Sequence, residues 1–265
     1  MIIKNQKQMK SKSLSKVRNI VTLFFLLSFF SCDVADNLVQ VVNQNLPLTE
    51  EEVVSGLKEA LKVSTDTAVN VVSALNGYYG DKMIKIMLPP EADIIVQNKN
   101  NALLQAAGIT KFINDAELSL NRAAENAAKS ATAVFVNAIK SMTISDAFNI
   151  LNGSDTAATH YFRQKTYQHL RNSFKPQIKK SLKKPLVHGV SADKAWTTLA
   201  DTYNEVAAMV PGWKKVNVQL DEYVTQKALN GLFIKIAEQE KQIRNDPRAQ
   251  VNDILKRVFG EKISF

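Results

Sequence analysis

The sequence predicts an all-α protein: a single compact domain of about eight or nine helices behind a signal peptide and a short tether. Three observations predict it. Apolar residues recur at helical spacing from Val53 almost to the C-terminus. Helix stops such as Asn76-Gly77, Gly108, Asn152-Gly153 and Pro211-Gly212 follow the periodic segments. Period-two alternation occurs in one place only, at Ile84, Ile86 and Leu88, and Pro89-Pro90 ends it.

The N-terminus is set apart by charge. Lys4, Lys7, Lys10, Lys12, Lys16 and Arg18 precede an almost wholly apolar run from Ile20 to Phe30, with no acid in the segment. A membrane-spanning helix needs ~20 apolar residues, so this run is too short. A basic head, a short apolar run and a small residue before the cut make a secretory signal peptide. Here the small residue is Ser31, and Cys32, the chain's single cysteine, follows it. That order resembles a bacterial lipoprotein signal, in which the cysteine thiol is acylated and becomes the new N-terminus. Such signals usually carry Leu three positions before the cysteine, where this chain has Phe29. The reading divides the chain into a signal peptide (1–31), an acylated cysteine and tether (32–48), an all-α domain (49–260) and a C-terminal tail (261–265). One acyl chain gives marginal membrane binding, at ~0.8 kcal/mol per buried methylene. The two or three chains of a lipoprotein cysteine hold a protein permanently. The expected location is therefore membrane-anchored, facing the periplasm or the cell surface.

Export changes the charge argument. The formal net charge is +9, but six of the 34 basic residues and none of the 25 acidic ones lie in residues 1–31. Removing that segment leaves a nearly balanced chain, and a nucleic-acid partner loses its electrostatic support. With Cys32 acylated no thiol remains for a disulfide or a metal.

The tether "DVADNLVQVVNQNLP" reaches ~50 Å when extended. At "LPLTEEEVVSGLKEAL" Thr49 and Glu52 form a capping box, with Leu48 and Val53 as its staple. That helix is expected to end at Asn76-Gly77. "GYYGDKMIKIMLPPE" follows as an ordered loop, the one place where a strand is plausible. Helices are then expected over 91–107, through "KFINDAELSLNRAAENAAKS", and in "ATAVFVNAIKSM". Next comes "TISDAFNILNG", capped by Thr143, and the long segment 154–184, which Pro176 should kink. "SADKAWTTLADTYNEVAAMV" and "LDEYVTQKALNGLFIKIAEQEKQIR" follow, and Asn245-Asp246-Pro247 caps a last helix through Phe259.

Catalytic signatures are absent. There is no phosphate loop, no His-Glu-x-x-His and no Gly-x-Ser-x-Gly. Ser-x-x-Lys occurs four times, at Ser13, Ser55, Ser181 and Ser191, without the companion motifs of a serine enzyme. His160, His169 and His188 are spaced too widely for adjacent helical turns, and no acid lies between Thr156 and Ala192, so no metal or cofactor is implied.

Two features carry site candidates. Glu117, Arg122 and Glu125 place an arginine between two carboxylates, a pattern that binds a ligand or locks neighbouring elements. The acid-free stretch 156–192 holds eight basic residues. In it Phe162, Thr166, Leu170, Phe174, Ile178 and Leu182 form an inward i+4 row. Arg163, Arg171, Lys175, Lys179 and Lys183, with Tyr167, form the row beside it, expected to face water. Such a face suits an anionic lipid or an acidic envelope partner. A solvated face balanced by Asp221, Glu238 or Glu240 is the alternative.

The segments "EEVVSGLKEAL", "ELSLNRAAE", "VFVNAIKSMTISDAFNIL", "AATHYFRQKT", "YVTQKALNGLFIKIAEQEKQIRNDPRA" and "ILKRVFG" resemble the bacterial domain-of-unknown-function family 4197, in this order and over Leu48 to Gly260. The resemblance implies an exported, often lipid-anchored helical protein and no activity, substrate or cofactor. It also implies Asp where this chain has Asn230. The sequence thus points to an envelope module with a binding or structural role. One alternative is a carrier enclosing an apolar ligand. The other is an envelope hydrolase drawing on Glu117, Arg122 and Tyr203.

Overall fold

A computed structural model describes residues 48–93, 109–185, 189–209, 215, 217–250 and 253–260. Glu50–Phe265 is one compact unit. Its helices are α1 (Glu50–Ser73), α2 (Ile109–Ala128), α3 (Ala131–Lys140), α4 (Ile144–Leu151), α5 (Ala157–Leu182), α6 (Ala192–Met209), α7 (Leu220–Asn245) and α8 (Asp253–Gly260). Short 3-10 turns lie at Pro90–Ala92 and Pro247–Ala249. Among the described residues there is no strand, and one isolated bridge joins Pro185 to Ser191. The chain is all-α.

The starts of the helices follow local chemistry. α1 begins one residue after Thr49, with Glu50, Glu51 and Glu52 in its first turn, where the helix dipole favours negative charge. Thr143 caps α4 in a reciprocal box with Asp146: its hydroxyl accepts the Asp146 N–H (3.1 Å), and the Asp146 carboxylate accepts the Thr143 N–H (3.1 Å). The Ser191 hydroxyl accepts the Lys194 N–H (3.2 Å) at the head of α6. α2 and α3 are separated at Lys129–Ser130, where both the amide and the hydroxyl of Ser130 donate to Ala127 O.

α5 continues through Pro176. Pro176 and Asn172 are both exposed, so the carbonyl deprived of its partner lies on the water side. The last helix starts later than the sequence suggested. Pro247–Ala249 forms a separate turn before α8, and Gly260 is the final residue of α8 rather than the residue beyond it. Most of the helix expected over 91–107, together with Pro211-Gly212 and the whole signal and tether segment to residue 47, lies outside the described residues.

The core forms where α5 packs against α7 and α2, and α1 against α7, α3 and α8. The inward row of α5 is buried along its whole length, from Phe162 to Leu182. Phe135 of α3 meets Phe162 edge-on at 5.3 Å and Phe233 of α7 at 6.3 Å. Ala123, Ala124, Ala127 and Ala128 on α2 are fully buried, and their small side chains let neighbouring backbones come close.

α5 and α7 are antiparallel. Glu240 of α7 meets Ala158 and Thr159, Asn230 meets Arg163, and Glu222 meets Arg171 and Lys175. Glu240 is buried. Its carboxylate accepts from Ala158 N (2.9 Å), Thr159 N (2.9 Å) and the Thr159 hydroxyl (2.8 Å), so a neighbouring helix caps α5. One turn on, Arg244 pairs with Glu240 and donates to Ile150 O (2.7 Å) and Leu151 O (3.3 Å), closing the end of α4.

Candidate functional site

Among the described residues, the segment after α1 is irregular, and side chains of α2 and α7 hold it. Asn76 adopts φ of 66°, a left-handed conformation that asparagine tolerates. Gly77 follows because a Cβ there would come within 2.3 Å of Val71 O. Residues 77–88 then run through the groove between α2 and α7, antiparallel to both. Along α2 the order of contacts is Tyr78 and Tyr79 with Glu125, then Ile86 with Asn121. Along α7 it is Asp81 with Lys235, then Met87 and Leu88 with Tyr223.

Among the described residues the segment has no strand partner, and side chains take that role. Asn121 Oδ1 accepts the Ile86 N–H (2.9 Å), and Asn121 Nδ2 donates to Ile86 O (2.8 Å) and Glu117 O (2.7 Å). Glu125 Oε1 accepts the amides of Tyr78 (3.2 Å) and Tyr79 (3.3 Å). The fully buried Tyr78 hydroxyl donates to Ala228 O (2.7 Å). Burial first, then the Glu125 charge, pushes the Tyr78 phenol well above its ordinary range. The approach is so close that a Cβ on Gly231 would lie 2.8 Å from the Tyr78 ring. Ile84 and Ile86 therefore point into the core, while Met83 and Met87 stay outside at 70% and 52% exposure.

The carboxylate–arginine cluster lies along this segment. Glu125 pairs with Arg122, whose other arm donates to Asn76 Oδ1 (2.7 Å). Glu117 pairs instead with Lys85 (3.3 Å), which also covers the Tyr79 ring (4.5 Å). The three residues thus hold residues 76–86. Arg122 alone of the three lines an adjoining cleft of about 250 Å3, between α2 and the end of α5. The side chain of Tyr203, the third member of the hydrolase alternative, lies outside the described residues.

The basic row of α5 divides in two. Arg163 donates to Asn230 (3.2 Å) and lies 4.5 Å over the Phe233 ring. Arg171 makes a two-pronged pair with Glu222 (3.0 and 2.8 Å), and Lys175 joins it (2.8 Å). These contacts hold the Glu222 carboxyl below its ordinary range, the Lys175 hydrogen bond contributing most. The sequence expected these side chains to face water; instead they are half-buried against α7. Of the acids considered in the sequence, Glu240 caps α5 and Glu238 pairs with Lys235. Glu222, the acid that meets the row, was not among them. Antiparallel packing explains the division. α7 starts at Leu220, so beyond Lys175 it has no residue left to offer. Lys179 and Lys183 are exposed and have no acid within ion-pair distance among the described residues, and Lys180 and Lys184 join them.

Other clefts are open grooves. One of about 590 Å3 lies between α3 and α5, lined by Asn137, Ser141, Lys165 and His169. Another of about 410 Å3 lies between α1 and the α3–α4 turn. The space lined by Leu57, Leu61 and Ile243 beside Glu240 is about 10 Å3, no more than one water. Among the described residues no group of three His, Cys, Asp or Glu could hold a metal ion. No described helix is long and apolar enough to cross a membrane.

Fold and site together define a helical domain with a clamped loop and a lysine-rich helix end. The family of proteins of unknown function DUF4197 matches residues 47–260, and the chain belongs to it. No curated protein and no solved structure matches the chain.

Proposed function

We propose that this protein is an exported, lipid-anchored module of the bacterial cell envelope, held at Cys32, whose helical body binds or braces another envelope component. One observation carries the reading. The chain's single cysteine stands directly behind a basic head, an eleven-residue apolar run and Ser31. The body supports a non-enzymatic role. Its most conspicuous charged groups are engaged internally: Glu117 with Lys85, Arg122 with Glu125 and Asn76, Glu125 with the Tyr78 amide and Glu240 with the Ala158 amide. The face open to an anionic partner narrows from the five residues of the α5 row to Lys179 and Lys183, with Lys180 and Lys184 beside them.

Metabolic labelling with a palmitate analogue tests the anchor. The wild-type chain should take up label and fractionate with membranes. Cys32→Ala should lose both. Label retained by that variant would end the lipoprotein reading.

A further inference from the structure

The groove between α3 and α5 gathers polar side chains that the fold leaves unspent. Its volume of about 590 Å3 is that of an ordinary ligand site. Its origin is local. Ala138 of α3 and Thr166 of α5 are small and turned inward, so the two helices leave a channel above them. The Thr166 hydroxyl is already spent on Phe162 O (2.6 Å). The walls are Asn137 and Ser141, one turn apart on α3, and Lys165, His169 and Ser173 on successive turns of α5, with Asn172 beside them. From Lys165 to Ser173 the wall runs about 12 Å along the helix axis. Asn137, His169 and Ser173 have no side-chain hydrogen-bond partner among the described residues. Asn172 Oδ1 accepts from Gln168 (3.0 Å), which leaves its own NH2 to the groove. No acid is among the described residues that line it. Lys165 lies 5.7 Å over the Tyr161 ring, and Asp146, which senses the Lys165 charge, is committed to Thr143 at the α4 cap.

We infer that this groove binds an acidic glycan chain. The inference names the class of envelope component left open above, and rests on that reading for the source of the glycan. Amide, imidazole and hydroxyl side chains each offer donor and acceptor, which is what the hydroxyls of a sugar require. Lys165 adds one cation for a carboxylate. Other chains fit the walls less well. A helical peptide needs a row of apolar anchor sites and an extended one needs a sheet edge. Here the apolar lining is Val134 and Ala138, and no strand occurs among the described residues. A nucleic acid calls for a cation at each of several phosphates and aromatic faces for its bases. One lysine and no aromatic residue line this groove. An acyl chain calls for an apolar lining, and this one is mostly polar. A polyhydroxylated chain with spaced carboxylates matches both the polar walls and the single cation.

The test uses the chain from residue 32 with Cys32→Ala, which keeps every buried core residue from Val53 to Val258. Three probes are compared by calorimetry: a tetrasaccharide of alternating N-acetylglucosamine and N-acetylmuramic acid, an uncharged N-acetylglucosamine tetrasaccharide, and hexaglutamate. The acidic saccharide should bind at least tenfold tighter than either of the others. K165Q should bring the two saccharides to about equal affinity. N137A/H169A should weaken both severalfold. Lys180→Gln removes an exposed cation of α5 outside the groove and should change nothing. Amide shifts on titration should fall on residues 134–141 and 165–173. These substitutions are on exposed side chains, and melting temperatures within a few degrees of the parent show that the variants remain folded. No binding to either saccharide, tighter binding of hexaglutamate, or undiminished binding by N137A/H169A overturns the proposal. The acyl anchor is read separately, by labelling of the wild-type chain, so the failure of one leaves the other standing.

Discussion

Asn121 on α2 makes both backbone hydrogen bonds that a strand partner would make to Ile86, accepting from its N–H at 2.9 Å and donating to its C=O at 2.8 Å. Both residues are almost fully buried. One amide side chain thus satisfies both backbone groups of Ile86 where an irregular segment crosses the core groove. Asn121→Leu keeps the volume and removes both bonds. A buried polar group left unpaired costs about 1–3 kcal/mol, so the variant should lose on the order of 3 kcal/mol in urea unfolding. The Ile86 amide should also lose its protection from hydrogen exchange. An unchanged midpoint would show that water or another group replaces Asn121.

Arg244 and Glu240 act as a unit that joins the end of α4 to the start of α5. Removing one partner of a buried pair leaves an uncompensated charge and typically costs about 3–5 kcal/mol. Arg244→Met should therefore destabilise strongly. In a cycle with Glu240→Gln the two losses should fall well short of adding. Strict additivity would mean that the residues act separately.

Asp81 and Lys235 give the stability a pH dependence. The hydrogen bond from Lys235 holds the Asp81 carboxyl below its ordinary 3.8, with burial opposing and the Met83 amide assisting. A depressed folded-state value adds stability that is present above the unfolded value and lost as pH falls through the folded one. Burial pulls Lys235 down, but its bonds to Asp81 and Glu238 outweigh burial and hold it above 10.5. Its contribution is present below that value and lost as pH rises through the raised one. Asp81→Asn should flatten the acid limb of the stability curve below pH 3.8 and weaken the alkaline one. Unchanged limbs would show the pair to be solvent-screened.

Asn230, where the family resemblance implies Asp, meets Arg163 across the α5–α7 contact. Its Oδ1 accepts from Arg163, which also lies over Phe233. Asn230→Asp would turn that contact into a part-buried ion pair. It should stabilise by about 0.5–1 kcal/mol, an effect that fades in high salt. A loss of stability would mean that desolvating the carboxylate outweighs the pair.

The helices were legible because each carries its own apolar period. The row Phe162 to Leu182 reads as buried from the sequence, and it is buried. The capping of α4 by Thr143 was equally local. What held the elements together was not legible. The bonds from Glu240 to Ala158 and Thr159 span 82 and 81 residues, and no local pattern marks them. Glu117, Arg122 and Glu125 stood out as a charged group, yet they also hold a loop 32 to 47 residues earlier. The basic row was read as uniformly solvated because one helix's sequence does not reveal where its antiparallel neighbour ends. The packing of Gly231 against Tyr78 had one visible signal, a glycine in the middle of a strongly periodic helix.

The state of Cys32 tests the central claim most directly. Mass spectrometry of the protein purified from membranes should find Cys32 as the first residue, carrying two or three acyl chains. A mature N-terminus elsewhere, or a peptide with a free Cys32 thiol, would contradict the lipid-anchored account.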